Sequence, residues 1–254
     1  MDSHCHLQHE RFDADRDAVL ERAAAAGIER LLVPGWDLPS SIAALELAER
    51  DPPMIRAAIG VHPHYAAQVD EPAWLELESL AADPRCSAIG EIGLDFHRNL
   101  SPPDVQRAAI KRQLETAARR DLPVIVHDRE AHDEVTALLL AWPGLDGRTA
   151  RGVLHAFSGS AEMASTLTAR GFLVSFALPV AFRSAAGPRA AASHVSAGAY
   201  LVETDAPYLG PDREERNEPT TVLRVTAELA LLRDTDVVTV AADVRGAFDR
   251  LVGG

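Results

Sequence analysis

The alternation of short apolar runs with longer helical patterns constrains the fold of this 254-residue chain more than any other feature. Eight runs of strand length are each followed by a segment with helical spacing or by a loop. This pattern is typical of βα units, in which a helix returns the chain so that the next strand joins a parallel sheet. Eight such units need about 250 residues. We therefore expect an α/β fold, a single TIM-type (β/α)8 barrel over residues 1–254.

The predicted elements follow from the apolar periodicity and its breaks. The strands are expected in the first seven residues and at Ile28–Val33, Ile55–Val61, Ser87–Leu94, Pro123–His127, Gly152–Leu154, Phe172–Leu178 and Tyr200–Thr204. Helices are expected at about Asp15–Gly27, Pro39–Arg50, Glu71–Ala82, Ser101–Arg120 (with Ser101 as N-cap), Ala131–Trp142, Ala161–Arg170, Glu218–Leu232 and Asp236–Leu251. The alanine-rich stretch 181–199 predicts a further helix on the outside of the barrel.

Composition excludes several classes of protein. The net charge of −13 argues against a broad basic surface that binds duplex DNA non-specifically. Two distant cysteines do not form a disulfide framework and favour a reducing compartment. Neither a signal peptide nor an apolar run of membrane-spanning length is visible. These features predict a cytoplasmic protein with no membrane association, and nothing in the sequence indicates an obligate protein partner.

Polar side chains interrupt the apolar strands mainly at their carboxyl ends, where the active site of such a barrel lies. Near the N-terminus, His4 and His6 are two residues apart, so on a strand they share one face. Neutral imidazole is a common ligand of divalent metals. The later strands end in further imidazoles and carboxylates, namely His62 and His64, Glu91 and Asp95, His127, His155 and Asp205.

Mixed nitrogen and oxygen donors of this kind suit paired divalent metals. Glu91 is the carboxylate that can bridge two ions. The only lysine, Lys111, lies in the middle of a predicted helix and not at the end of a strand. Two-metal sites commonly hydrolyse phosphate esters.

The chain resembles the TatD family of metal-dependent deoxyribonucleases, within the amidohydrolase-like barrels. The motifs that carry the resemblance occur in family order along nearly the whole chain, at Asp2–Leu7, Gly60–His64, Gly90–Asp95, Val126–Arg129, Leu154–Gly159, Glu203–Leu209 and Arg216–Pro219.

This resemblance implies a hydrolase that uses two divalent metal ions, such as zinc, manganese or magnesium. It implies that Glu91 bridges the metals and that Asp205 also accepts a proton from the attacking water. It implies that His64 and Arg129 contact the phosphate, to which a guanidinium offers a bidentate fork. The implied metal ligands are His4, His6, Glu91, His127, His155 and Asp205.

Other chemically active side chains have simpler interpretations. Strand alternation points Cys5 away from the two histidines beside it, so it is expected to be a small buried hydrophobe, and Cys86 is expected to be structural. The roles of His62, Asp95 and His97 are left open. No stacking pattern is visible among Trp36, Trp74 and Trp142, and His9, His132 and His194 are expected at the surface.

The leading hypothesis is a DNase that trims single-stranded DNA ends. Two features depart from the family pattern: few residues precede the first motif, which predicts a short first strand, and the segment 210–216 is acidic where the family is usually basic. The alternative is a carboxyl-ester hydrolase of the same fold, such as a D-aminoacyl-tRNA deacylase or a lactonase, since the fold does not decide the substrate.

Overall fold

Seven parallel strands form a curled sheet at the centre of residues 1–212 and 215–253, the residues that the computed structural model describes. The order of the strands in the sheet follows the chain. The strands are β1 (Leu31–Pro34), β2 (Ile55–Ile59), β3 (Cys86–Asp95), β4 (Val124–Arg129), β5 (Gly152–Leu154), β6 (Phe172–Phe176) and β7 (Tyr200–Val202). The helices are α1 (Arg16–Ala25), α2 (Leu38–Arg50), α3 (Glu71–Leu80), α4 (Pro103–Arg120), α5 (His132–Ala141), α6 (Ala161–Thr168), α7 (Ala186–His194), α8 (Val222–Leu232) and α9 (Val237–Val252).

The strands are buried on both faces, as expected of a parallel sheet covered by helices. Every residue of β1, β5, β6 and β7 is buried, and the core is continuous through the sheet. The prediction of an α/β fold with a parallel sheet is confirmed. The start of β1 differs from the prediction, because Ile28 still donates its N–H to Ala23 O at the end of α1, and the chain turns at Gly27 with φ +79°.

The N-terminal segment lies between the first and last strands. Ser3 N donates to Val202 O and Cys5 N donates to Leu32 O, both at 3.0 Å. The segment forms only isolated parallel bridges, of Asp2 with Leu31 and of Cys5 with Ala206, and no regular strand. The first seven residues therefore join β1 to the chain beyond β7, without the regular strand that the sequence predicts.

The helices largely match the predicted pattern, and the start of α8 differs from it. The alanine-rich stretch contains α7 as expected, which packs against α6 and α8. Helix α8 begins at Val222 rather than near Glu218, because Pro219 opens a short 3-10 turn first.

The predicted N-cap of α4 is wrong. Pro102 occupies that position without a side-chain cap. The Ser101 hydroxyl instead donates to His64 O at 3.0 Å and accepts from Ala67 N at 3.1 Å. Ser101 therefore ties the 3-10 turn Pro63–Gln68 to the chain just before α4.

No helix among the described residues is long and apolar enough to cross a membrane.

Candidate metal-binding active site

A cavity of about 880 Å³ opens at the carboxyl ends of the strands. This is the face where barrels of βα units place their active sites. Its lining includes most of the histidines and acids singled out in the sequence. The lining residues are His6, His9, Trp36, His62, His64, Tyr65, Gln68, Glu91, Asp95, His97, Arg98, Leu100, His127, Arg129, His155, Asp205 and Tyr208.

Glu91 reaches the centre of this cavity because β3 is irregular there. Ile89 pairs with Val124 and Ile92 with Val126, so Gly90 and Glu91 together lie opposite the single residue Ile125. Such a bulge redirects a side chain and often occurs beside an active site. Gly90 permits the close approach, because a Cβ atom there would lie 2.5 Å from the Ile125 side chain.

One oxygen of Glu91 faces the N-terminal histidines. Glu91 Oε2 lies 3.3 Å from His4 Nε2 and 3.4 Å from His6 Nε2. Asp205 Oδ1 lies 3.7 Å from the first of these nitrogens and 3.6 Å from the second. The imidazoles of His4 and His6 therefore lie on the same side of the segment, as strand alternation predicts. Cys5 between them is fully buried.

The other oxygen of Glu91 faces a second set of imidazoles. Glu91 Oε1 lies 2.8 Å from His155 Nε2 and 3.0 Å from His127 Nδ1. His62 Nε2 lies 3.4 Å from the same oxygen. His62, whose role the sequence left open, is thus a member of the cluster. The sequence showed His62 at the end of an apolar strand. It could not show which way the imidazole ring points.

The donor atoms fit the binding of divalent metal ions. His4 Nε2 and His6 Nε2 lie 3.2 Å apart, and His127 Nδ1 and His155 Nε2 lie 3.1 Å apart. Two neutral imidazole nitrogens with their lone pairs directed at each other repel unless a proton or a cation lies between them. Ligands about 2.1 Å from one cation lie about 3.0–3.4 Å apart. The spacing and the mixed nitrogen and oxygen donors agree with that geometry.

Contacts behind the ligand atoms orient the rings. His6 Nδ1 lies 3.1 Å from Pro34 O at the end of β1. His155 Nδ1 faces the buried Glu203 Oε1 at 3.4 Å, and the same oxygen accepts from Ala156 N at 2.6 Å. A partner on the far side of an imidazole fixes its orientation and tunes its basicity as a ligand.

Burial and neighbouring charge shift the proton affinities of these groups. Burial raises the pKa of Asp205 to about 6, and burial lowers the pKa of His4 to about 4 with help from the charge on His155. Burial also opposes ionisation of Glu91, but the surrounding imidazoles, His155 first, hold the pKa of Glu91 well below its usual range. The imidazoles therefore favour the ionised form of Glu91, the form in which a carboxylate binds a metal.

A second acidic group, Asp95, organises the side of the cavity next to this cluster. Asp95 Oδ2 lies 2.6 Å from His64 Nε2 and 3.3 Å from His127 Nε2, while its Oδ1 accepts from Arg98 N at 2.7 Å. Asp95 thus connects His64, predicted to contact phosphate, to a candidate ligand. The sequence left Asp95 open between holding the backbone and touching substrate. The bond from Arg98 N shows the first, and contact with substrate stays a prediction.

Two arginines bring positive charge to the same side. Arg129 ends β4 and Arg98 follows β3, and both line the cavity. Within residues 1–212 and 215–253, neither guanidinium makes an ion pair. Their donors remain available to an anionic ligand. Arg98 was not among the predicted site residues, because nothing in its local sequence marks it.

The remaining sequence expectations have mixed outcomes. His132 bonds to Asp128 at 2.8 Å away from the cluster, and His97, half exposed, pairs with Glu130 at the cavity rim. His9, expected simply at the surface, lines the cavity together with Trp36.

Within the acidic segment 210–216, Arg213 and Glu214 lie outside the described residues. Lys111 is exposed on α4, Cys86 is buried, and both cysteines are free.

Comparison with known proteins supports a common ancestry over the full chain. The model of the family described as "TatD related DNase" matches residues 1–253. A Bacillus subtilis protein named "uncharacterized metal-dependent hydrolase YabD" is 36% identical over 245 residues, covering 95% of this chain and 94% of its own length. An Erwinia tasmaniensis protein named "3′-5′ ssDNA/RNA exonuclease TatD" is 36% identical over 244 residues, covering 93% of each chain.

A solved structure agrees with these relatives. The crystal structure of YJJV, a TatD homologue from Escherichia coli, superposes with a TM-score of 0.92 at 30% identity, covering 100% of this chain and 97% of its own. The family expectation drawn from the motifs is confirmed. The chain belongs to the TatD related DNase family and is a metal-dependent hydrolase of that family.

Proposed function

We propose that this protein removes nucleotides from the 3′ end of single-stranded DNA or RNA, using two divalent cations bound on either side of Glu91. One observation carries the proposal: the two oxygens of Glu91 face two different imidazole pairs. The names of the exonuclease relatives supply the substrate class and the polarity.

The proposed ligands divide between the two oxygens of Glu91. His4, His6 and Asp205 would hold one cation, and His127 and His155 would hold the other. Cations held by these residues would activate a water and stabilise the leaving oxygen of the phosphodiester. Four imidazoles suit zinc, manganese, cobalt or iron better than magnesium.

The protein's own groups supply the remaining functions. Asp205 accepts the proton of the attacking water, since its carboxylate borders the cluster and remains partly accessible in the cavity. Arg129 and His64 hold the phosphate oxygens, and Arg98 adds a second guanidinium on the same side of the cavity. The Asp95 contact keeps the His64 ring directed along this wall.

The proposal includes a closed eight-stranded barrel that works as a single catalytic unit over residues 1–254. Hydrogen bonds from both sides of the N-terminal segment support this view, because they join it to β1 and to the chain at β7. Hydrogen exchange tests the closure: the amides of Ser3 and Cys5 should exchange as slowly as those of β1. Fast exchange at both amides, with β1 protected, would show that the barrel is open at this seam.

The function is tested by cleavage of single-stranded DNA labelled at the 3′ or the 5′ end, with Mn²⁺, with Mg²⁺ and with EDTA. We expect early loss of the 3′ label, progressive shortening from that end, and no reaction in EDTA. Glu91→Ala should abolish the reaction, because it removes the contact shared by both ligand sets. Glu76→Ala, which removes an exposed carboxylate on α3, is the matched control and should behave like the wild type.

Intact DNA and RNA under every metal, with metal shown to be bound, would contradict the nuclease assignment. Release of a D-amino acid from charged tRNA in the same preparation would then support the carboxyl-ester alternative, which the exonuclease relatives do not favour.

We also propose that the protein works in the cytoplasm. Cys5 and Cys86 are both buried free thiols, as expected in a reducing compartment. Recovery of the native protein only from an oxidising compartment after cell fractionation would contradict this location.

A further inference from the structure

One wall of the cavity consists of aromatic rings from three separate segments. His9 follows the N-terminal histidines, Trp36 follows β1, and Tyr208 follows β7. The His9 ring lies 5.8 Å, centroid to centroid, from the ring of Trp36 and 5.8 Å from that of Tyr208. We call these three residues the aromatic wall.

The aromatic wall directly adjoins the candidate metal ligands. The His6 ring lies 5.2 Å from the Trp36 ring and 6.1 Å from the Tyr208 ring, at steep angles in both cases. The wall therefore begins one ring away from the cluster around Glu91. A base bound on the aromatic wall could therefore belong to the same nucleotide as a phosphate bound at the cluster around Glu91.

Backbone contacts fix the wall to the segments that carry ligands. His9 N donates to His6 O at 3.0 Å, and Tyr208 N donates to Asp205 O at 2.8 Å. Trp36 O accepts from His62 N at 2.9 Å. The backbone of each wall residue is thus held beside a histidine or carboxylate of the site. Such rigidity lowers the entropy cost of binding a planar group.

The rings of the wall are accessible. Tyr208 is 48% exposed, and Trp36 and His9 are partly exposed. Trp36 does not belong to the hydrophobic core of the described residues, unlike Trp142. Exposed aromatic rings beside a polar cluster favour the binding of a ligand over a role in the packing of the core.

Charge divides the cavity into two sides. The aromatic wall lies by His6, and Arg98 and Arg129 lie on the side of Asp95. A nucleotide has the same division, since its base is flat and apolar on its faces while its phosphate is anionic. A strand end can thus place a base on the wall and its neighbouring phosphates near the arginines.

We propose that Trp36 and Tyr208, supported by His9, stack the base of the terminal nucleotide that is being removed. This inference rests on the proposed exonuclease function and adds a base-binding subsite to it. A base that leaves its strand to lie on the aromatic wall gives up its pairing, so the subsite favours unpaired ends. Because every base has a π-face, the subsite imposes little sequence preference.

The test compares a normal oligonucleotide with one whose 3′-terminal residue is an abasic tetrahydrofuran nucleotide. The wild type should remove the normal residue about tenfold more efficiently, the effect of one stacking contact. Tyr208→Leu and Trp36→Leu should each lower the ratio of the two efficiencies, and the double variant should bring it close to one, mainly by raising KM for the normal substrate. Tyr208→Phe should keep the ratio. Phe182→Leu is the matched control, since Phe182 is an exposed aromatic residue that does not line this cavity.

Each result separates the subsite from the function. If the wild type shortens both oligonucleotides equally, or if the leucine variants keep the wild-type ratio, stacking is refuted and the exonuclease function stands. If the wild type shortens neither oligonucleotide, the function fails and the subsite fails with it. Leucine variants that cleave the abasic substrate at the wild-type rate are thereby shown to be folded and metal-loaded.

Discussion

At the scale of single residues, the site depends on carboxylates with distinct environments. Glu91 lies between two imidazole sets, Asp205 borders one of them, and Glu203 lies fully buried behind His155. Only the first two were candidates from the sequence. The sequence did not single out Glu203, because the residue that it contacts, His155, lies 48 positions earlier in the chain. No local pattern shows that these two side chains meet.

The first prediction concerns Asp205. We expect Asp205→Asn to lower the rate of DNA cleavage about 10²–10⁴-fold, because an amide cannot accept the proton of the attacking water. Single-turnover rates with metal content measured in the same sample provide the test. Full activity in a variant that still holds its metals would show that Asp205 is only a ligand.

The second prediction concerns Glu203. Glu203→Gln keeps an oxygen for Ala156 N but removes the negative charge that faces His155. Metal affinity should fall about 10–100-fold, as for other losses of a group that orients a ligand. Competition with a chromogenic chelator measures this, with Glu76→Gln as control. A loss of thermal stability with unchanged metal affinity would assign Glu203 a purely structural role.

At the scale of elements, the bulge in β3 and the turn after β2 decide which side chains enter the cavity. The bulge turns Glu91 inward, and the 3-10 turn Pro63–Gln68 presents His64 to Asp95. Neither irregularity follows from apolar periodicity. Both depend on contacts with neighbouring strands and helices.

Ser101 provides a test at this scale. Ser101→Ala leaves His64 O and Ala67 N without their side-chain partner, so the free energy of unfolding should fall by about 1–2 kcal/mol. KM for DNA should rise several-fold while kcat changes little, because the turn carries a phosphate contact and no metal ligand. Urea unfolding and steady-state kinetics measure the two effects. Ser79→Ala, at an exposed site on α3, should change neither, and an unchanged KM in Ser101→Ala would mean that the turn is held by other contacts.

At the scale of the whole molecule, the two ends of the sheet meet through a buried carboxylate. Asp2 Oδ2 accepts from Thr204 Oγ1 at 2.6 Å, and its Oδ1 accepts from Thr204 N at 3.0 Å and His4 N at 3.3 Å. One side chain therefore joins the segment that carries the first histidines to the segment that carries Asp205. This contact lies beside candidate ligands from both ends of the chain, His4 and Asp205.

We expect Asp2→Ala to lower the free energy of unfolding by about 2–3 kcal/mol, since it leaves buried donors unsatisfied. Metal affinity should fall as well, because His4 and Asp205 lose their common support. Asp2→Asn, which can still accept from both backbone groups and donate to Thr204, should lose much less. Thermal melts and metal titration distinguish the variants. Equal behaviour of Asp2→Ala and the wild type would show that the seam is held elsewhere.

The sequence by itself determined the class of fold and most of the metal-binding candidates. Apolar runs alternating with helices require buried parallel strands, and a polar side chain at the end of such a strand, as at His127 or His155, can only face the rim of the sheet. Those two positions follow from local pattern alone, because hydrophobic burial specifies strand and register.

Only the tertiary structure decided how these groups combine. The bulge in β3 places the Glu91 carboxylate between two imidazole sets, and the aromatic wall joins His9, Trp36 and Tyr208 across nearly 200 positions of the chain. No local periodicity records such proximity, since it results from the curling of the sheet that brings its first and last segments together. The apolar periodicity of a sequence predicts which residues are buried. Contacts between loops that are distant in the chain are determined by tertiary packing.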